Sequence, residues 1–449
     1  MTDTQPDDAG VESPGISNVT SASVSNALQD HALESVPADR RQSLLQLVVV
    51  QVGWNISVSS FLVGGVVGAG VPFWTGVLAV LVGNLVLVSV STLVGLAGCR
   101  TGLTSYLISR AVFGAKGSIV VSVMLGIIAM GFIGVLMDTW GTAVNKLIPA
   151  IPSWGFVLAF AVAITSTSIF GFKGLARYSA IAVPIEIAIA LFALFKIGSL
   201  GTGFGEVIAH TPTAPIGFAA AVGAVIATWI TGASLVSDVT RYARRRRDVL
   251  ISNFVGFVVG AGVFETIAMI SAMKVDQSNF VLVMSGLSLL APAAVMLFLA
   301  LWNTADNNLY SSSLAFTNAS NLIGLRVTKP VWTVVAILVA VTIAFSGASA
   351  HFLDLLLVVA TVVPPFAGVL VAHMSIVSRR QPPTEMLSTA PSVRWSALVA
   401  WGGSAWAAKQ VAFLLNDAIE GLLLGVASYL LLSLALAARR DGVSSGTSN

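Results

Sequence analysis

Residues 227–242 read ATWITGASLVSDVTRY. They continue an apolar run over 216–226 and are followed within two residues by RRRR at 244–247. The pattern is that of a membrane helix that loses regularity midway, because Trp229, Gly232 and Ser234 stand where an ordinary span is uniformly apolar. Glycine lowers helix stability, and Thr and Ser offer the backbone competing hydrogen bonds. Irregular backbone is tolerated at membrane depth only inside protein or beside a water-filled cavity, so the stretch is expected to line a site. A second stretch, QVGWNISVSS at 51–60, has the same character inside the first apolar span. Two interrupted helices in corresponding halves point to the central site of a transporter. The alternative is a Gly/Ser-rich packing seam between regular helices.

The rest of the chain agrees with a membrane setting. Of 449 residues, 56% are hydrophobic and 10% charged, and the mean hydropathy is +0.90. That balance belongs to polytopic membrane proteins rather than soluble domains. The isoelectric point near 9.1 does not point to nucleic acid, since the basic residues lie in short loops between apolar runs. A single cysteine, Cys99, excludes an intrachain disulfide. Residues 1–39 are polar and acidic with no apolar core of a signal peptide, and are expected to form a disordered cytoplasmic tail, as is 441–449.

Between the tails lie twelve apolar spans, near 44–70, 74–98, 117–144, 154–172, 179–200, 216–240, 249–273, 286–316, 329–346, 352–376, 395–415 and 419–438. Each is long enough for a hydrocarbon core of about 30 Å at roughly 1.5 Å per residue. With the N-terminus cytoplasmic, the inner segments hold 19 of the 23 Lys and Arg residues. The exceptions are Lys146 and Lys274 in outer loops, and Lys196 and Lys409 within or at the edge of spans. This asymmetry predicts cytoplasmic termini and a multi-pass protein of the cell membrane.

Six words carry a family resemblance: GGVVGAG at 64–70, LAVLVGNL at 78–85, TGLTSYLISRAVFGAKGS at 101–118, ASLVSDVTRYARR at 233–245, LWNTADNNLYSSSLAFTN at 301–318 and VVPPFAGV at 362–369. In these the chain resembles the nucleobase–cation symporter-1 family, the purine–cytosine permeases, most of all the bacterial cytosine permease branch. The resemblance implies an all-α fold of twelve transmembrane helices, with a five-plus-five inverted repeat over 40–200 and 216–376. Helices 1 and 6 would be interrupted, and two additional helices would occupy 395–438. It also implies alternating access around a midplane site bounded by spans 1, 3, 6 and 8.

Carried across position by position, the resemblance puts the ring-stacking and hydrogen-bonding positions on Trp229 and Thr228, and a substrate-side position on Ser57. An indole face suits a planar heterocycle. The backbone carbonyls of Gly53 and Ile56 fall where the family binds its cation. Asn55 and Ser57 could equally be polar glue between helices. In span 3 the family's Gln falls on Ala129 and its Trp on Phe132. In span 8 its cytosine-contacting Asn falls on Ala305, and its cation-ligand positions fall on Ala300, Asn303 and Thr304. Ala129 and Ala305 cannot hydrogen-bond a base edge, so the substrate is left open among cytosine, purine, allantoin and hydantoin types. Asn303 and Thr304 retain two oxygens for Na+.

Ionisable groups inside a membrane are functional candidates by default. Asp238 and Asp306 read as structural or gating groups near cytoplasmic helix ends, close to Arg241. Glu186 lies deep in span 5, where the family usually has an apolar residue, and is a candidate proton carrier. Asp138, Glu265, Asp354, His373 and Lys409 follow it. With four histidines and no HExxH pair, no enzyme is expected. No selectivity-filter segment suggests a channel. The expected activity is import of a small heterocycle coupled to Na+ or H+, without cofactor or nucleic acid; a cation-independent uniporter or channel for a small polar solute is the alternative. The oligomeric state is left open.

Overall fold

The computed structural model describes residues 31–169, 172–201, 203–212, 215–277, 286–410 and 416–446. These residues form helices in all twelve stretches read as spans. They are numbered here by span: α1a (Leu44–Asn55), α1b (Val58–Gly70), α2 (Phe73–Thr101), α3 (Gly117–Leu147), α4 (Ser153–Ser168), α5 (Phe172–Gly198), α6 (Phe218–Leu235, continued by Ser237–Thr240), α7 (Arg246–Val275), α8 (Leu290–Leu322), α9 (Lys329–Phe345), α10 (Phe352–Ala372), α11 (Trp395–Gln410) and α12 (Asp417–Gly446). Among the described residues seven helices are long and apolar enough to cross a membrane, or eight if α1a and α1b, bent by 54°, count as one span. The ends follow local chemistry. Ser43 and Gln46 form a capping box at the start of α1a, and Gly102, at φ 68°, closes α2 in the left-handed conformation.

Packing repeats when each helix is exchanged for the one five places on. α1b packs on α7 as α6 packs on α2, α1a on α5 as α6 on α10, and α3 on α9 as α8 on α4, while α3 and α8 pack on each other. The equivalent helices α5 and α10 both carry internal prolines, Pro184 and Pro364–Pro365. α11 and α12 stand outside this scheme and pack on α10. The α1b–α7 contact is close because its seam is small: a methyl group at Gly64 or Gly68 would run into the backbone carbonyls of Glu265 and Met269.

Four features differ from the sequence reading. α6 stays helical through Trp229, Gly232 and Ser234, and its interruption falls at Val236. The hydroxyls of Thr228 and Ser234 donate to the carbonyls four residues back, Ala224 and Ile230, instead of opening the helix. α7 contains a π-helical stretch, Val255–Ala261, that the sequence did not announce. Of the expected N-terminal tail, residues 1–30 lie outside the described residues, but the segment from His31 onward is packed. Ala32 and Val36 are buried, and the Val36 N–H donates to the Gly102 carbonyl at 2.9 Å. At the other end α12 continues as helix to Gly446, past the expected start of the tail at 441.

Candidate substrate and cation site at the break in α1

The break in α1 comes from two extended residues. α1a ends at Asn55, Ile56 has φ −76° and ψ 98°, and Ser57 has φ −144° and ψ 163°. Ser57 caps α1b, its Oγ accepting from the Ser60 N–H at 3.4 Å. The last carbonyls of α1a, including Gly53 and Trp54, therefore have no following helical turn to donate to them. Two are taken from elsewhere. Ser60 Oγ donates to the Asn55 carbonyl at 3.0 Å, and Thr304 Oγ1 of α8 to the Trp54 carbonyl at 3.5 Å.

On one side of the break are two indoles. Trp229 of α6 is buried and donates its Nε1–H to Ser60 Oγ at 3.1 Å. Its ring meets Trp54 edge to face, with centroids 6.5 Å apart and planes at 88°. Gly232 stands beside both: a Cβ there would lie 3.3 Å from Trp229 and 3.4 Å from Trp54. Thr228 lies one residue before Trp229 and is nearly buried, with its hydroxyl turned to its own helix. Ala129, Phe132 and Ala305 are buried on α3 and α8, the two helices that pack across the middle of the fold.

On the other side is a polar cluster between α1a, α5 and α8. Ser179 Oγ donates to Asn303 Oδ1 at 2.8 Å, and Asn303 Nδ2 donates to Glu186 Oε1 at 3.5 Å. A Cβ on Gly53 would sit 2.7 Å from Ser179 Oγ and 3.2 Å from Asn303 Oδ1, which measures how closely the α1a backbone approaches. Ala300 is buried one turn before Asn303. The structure thus places Gly53 against Asn303, and Thr304 against the neighbouring Trp54 carbonyl. It also brings in Glu186, which the sequence reading had kept apart as a separate proton route. Trp54, Ser60 and Ser179 were missed. Asn55 and Ser57, weighed as glue between helices, make hydrogen bonds within α1.

The two aspartates, expected as structural or gating groups, differ in their partners: Asp238 is fully hydrogen-bonded, whereas among the described residues both carboxylate oxygens of buried Asp306 lack a hydrogen bond. Asp238 Oδ1 accepts from the Ser105 N–H at 2.8 Å, capping the short helix Ser105–Phe113, and Oδ2 accepts from Ser311 Oγ at 3.1 Å. Arg241 donates to the Tyr310 hydroxyl at 2.6 Å and to the His31 carbonyl at 2.9 Å. Asp306 is within Coulomb reach of Lys329 rather than Arg241. Lys329 lies over the Tyr310 ring at 4.5 Å. The remaining candidates have local partners: Asp138 caps Ser349, Glu265 holds Asn84, exposed Asp354 pairs with His351, and His373 bonds Tyr429. Lys409 is exposed at the end of α11.

Residues 35–437 match the model of a family described as permeases for cytosine/purines, uracil, thiamine and allantoin. The chain belongs to this permease family. It is 28% identical over 371 residues to the cytosine permease of Escherichia coli K12, covering 81% of this chain and 85% of that one. It is 21% identical over 377 residues to the hydantoin permease of Microbacterium maritypicum, covering 77% and 75%. Its fold superposes with a TM-score of 0.80, at 16% identity, on the nucleobase-cation-symport-1 family transporter Mhp1 in a closed conformation with bromovinylhydantoin bound, over 90% of this chain and 95% of that one. The permease is therefore a multi-pass membrane transport protein and not an enzyme, and its all-α inverted-repeat architecture is that of its family.

Proposed function

We propose that the permease is a secondary active symporter that imports a nucleobase-like heterocycle by alternating access, with Na+ or H+ as the coupling ion. The observation that carries this reading is the break in α1, which presents an indole pair on one side and released carbonyls with Thr304 on the other. A flat heteroaromatic ring has two π faces, and an indole face stacks on them. Trp229 is the stacking residue. Ser60 fixes its plane through Nε1, so the indole is oriented before the substrate arrives. Thr228, Ser57 and Phe132 complete the substrate side, with Ala129 and Ala305 leaving space rather than hydrogen bonds at the ring edge. Gly53, Ile56, Ala300, Asn303 and Thr304 form the cation side.

The two five-helix halves over 40–200 and 216–376 move relative to each other, and the helices over 395–438 stay outside the moving core. The arginine-bearing face is cytoplasmic, in keeping with the distribution of Lys and Arg. Asp238, Arg241, Tyr310 and the segment from His31 hold that face shut, which supports a state closed toward the cytoplasm.

The test is uptake of a panel of radiolabelled cytosine, purines, allantoin and hydantoins into proteoliposomes, with and without Na+ and pH gradients. Saturable uptake of one of them, driven uphill by either gradient, is the expected result. Saturable uptake that ignores both gradients makes the protein a uniporter, non-saturating flux makes it a channel, and no uptake of any member of the panel removes the heterocycle reading.

A further inference from the structure

Arg244, Arg245, Arg246 and Arg247 run from the α6–α7 turn into the first turn of α7, and all four are exposed. The substrate and cation sites make no use of them. Among the described residues Arg244, Arg245 and Arg246 form no ion pair, and Arg247 has only Asp248, with Nε 3.8 Å from Oδ1. That carboxylate is already engaged, its Oδ2 accepting from the Arg245 N–H at 3.1 Å. Further positive charge converges on the same place. Arg246 lies within Coulomb reach of Arg100, in the last turn of α2. Arg41 donates through Nη1 to the carbonyls of Cys99 and Ala243, at 2.9 and 3.1 Å. Arg244 Nε donates in turn to the Arg41 carbonyl at 3.2 Å. Like charges gathered in this way repel one another, and an anion among them offsets the repulsion.

The helix that begins here points to what carries the anion. Leu250, Ile251 and Phe254 are 52%, 42% and 47% exposed. They stand three, four and seven residues past Arg247, hence on the same face of α7. At about 1.5 Å per residue, Phe254 lies roughly 10 Å further along the axis. α7 is one of the helices long and apolar enough to cross a membrane, so this face meets acyl chains while the arginines stand level with the headgroups. A soluble anion would use the guanidiniums alone. A phospholipid of net negative charge matches both features. Its phosphodiester oxygens accept from the guanidinium forks, and its tail covers Leu250, Ile251 and Phe254. Basic clusters of this size beside a span attract anionic lipids.

We propose that Arg244–Arg247 and the exposed face of α7 beside them form a binding site for an anionic phospholipid in the leaflet on the arginine-bearing side. The turn that carries the site is docked on the N-terminal segment. The Gln42 N–H donates to the Tyr242 carbonyl at 2.7 Å, and Arg41 and Arg244 add the side-chain links already described. A phosphodiester that draws Arg244–Arg247 together therefore steadies the same turn from which Arg241 reaches the His31 carbonyl and Tyr310. Any consequence for closure of this face rests on the transporter reading; lipid binding itself is measured without substrate.

The test uses full-length protein, delipidated in a nonionic detergent and titrated with dioleoylphosphatidylglycerol or dioleoylphosphatidylcholine. Bound lipid is counted by native mass spectrometry. Each arginine near a lipid surface is worth about fivefold in affinity. The wild type should therefore prefer phosphatidylglycerol by at least about tenfold. Arg246→Gln with Arg247→Gln should weaken phosphatidylglycerol binding by more than about tenfold and leave phosphatidylcholine binding unchanged. Arg246→Lys with Arg247→Lys keeps the charge that orients the chain and should retain the preference for phosphatidylglycerol. Lys116→Gln with Arg326→Gln removes two exposed charges from other turns and should alter neither lipid. Equal binding of the two lipids by the wild type, unaltered binding by the folded double-Gln protein, or an equal loss in the Lys116 and Arg326 control overturns the proposal. So does displacement of the lipid by millimolar glycerol phosphate, which would make the ligand a free phosphate and leave the apolar face without a part. None of these readouts involves a heterocycle, so failure of the uptake panel overturns the substrate reading and leaves the lipid site standing.

Discussion

Gly232→Ala separates the stability of α6 from the fit of the substrate site. Gly232 lies inside α6, with no backbone conformation that excludes a side chain. Replacing a mid-helix glycine by alanine favours the helix by about 1 kcal/mol. The new methyl would meet Trp229 Cε3 at 3.3 Å, and Trp54 Cζ2 and Cη2 at 3.4 and 3.7 Å. The first contact is tight enough that an indole must give by a few tenths of an ångström, and small-to-large changes in packed cores cost about 1–3 kcal/mol where nothing can relax. The ring that must give is Trp229, against its hydrogen bond from Nε1 to Ser60, while Trp54 stays at ordinary contact distance. The two effects nearly cancel in the folded state, and the thermal midpoint should change little. Binding has no such compensation. The methyl and the shifted indole narrow the space beside the stacking face, and losing part of an aromatic contact costs about 1 kcal/mol, or roughly fivefold in Kd. Calorimetric titration of the best-bound heterocycle, with a thermal melt of the same sample, gives both numbers. An unaltered Kd in a folded protein would refute the idea that the substrate ring stacks on Trp229 beside Gly232. A midpoint falling together with affinity would show that the methyl disrupts α6 itself.

Other outcomes follow from the same geometry. Trp229→Ala should weaken substrate binding by about 1 kcal/mol or more while the protein still purifies as a monodisperse species, as read by competition uptake; unchanged affinity would place the ring elsewhere. Thr304→Ala removes the α8 hydroxyl that reaches the Trp54 carbonyl and should flatten the dependence of substrate Kd on Na+ at fixed pH; a dependence as steep as in the wild type would exclude Thr304 as a ligand. For topology, Arg246→Cys in a Cys99→Ala background should react with impermeant thiol reagents only from the cytoplasmic side, and Gln277→Cys only from outside. Gln277 is the better outer reporter because it is exposed, whereas Lys274 is engaged with Glu206. Labelling in the opposite sense would reverse the orientation read from the Lys/Arg asymmetry.

The helices were legible because membrane spans are written in bulk composition, and the break in α1 because GWNIS interrupts an apolar run with residues that end helices. The irregularity of α6 was placed too early for a specific reason. Thr228 and Ser234 were read as competitors of the helix, yet in an apolar setting their nearest acceptors are the carbonyls one turn back, and bonding to these keeps the helix intact. Trp229 was legible through its likeness to the family, but its hydrogen bond to Ser60 was not, since 169 residues separate the two. The α5 contribution was hidden in the same way. Ser179 is an unremarkable residue at the start of an apolar run, and only the docking of α5 on α8 brings it to Asn303, 124 residues away. Glu186 was visible as an oddity in its span, but its neighbourhood to the cation-ligand positions could be learned only from the packing.

That packing makes Trp54 the residue through which the two halves of the site are joined. Its backbone carbonyl, released by the end of α1a, accepts from Thr304 on the cation side. Its indole faces Trp229 on the substrate side. On the proposed reading, a cation held by the carbonyls of Gly53 and Ile56 would fix the backbone on which the Trp54 ring is carried, and a heterocycle against the indoles would restrict the same residue from its other end. Each ligand would then lower the cost of ordering that the other must meet, and each would raise the affinity of the other by the same factor. A regular helix at this point would supply neither effect, because its carbonyls would be bonded to the next turn and unable to answer to an ion. The two extended residues Ile56 and Ser57 are thus what would allow a single segment to sense both the ion and the ring of the proposed symport.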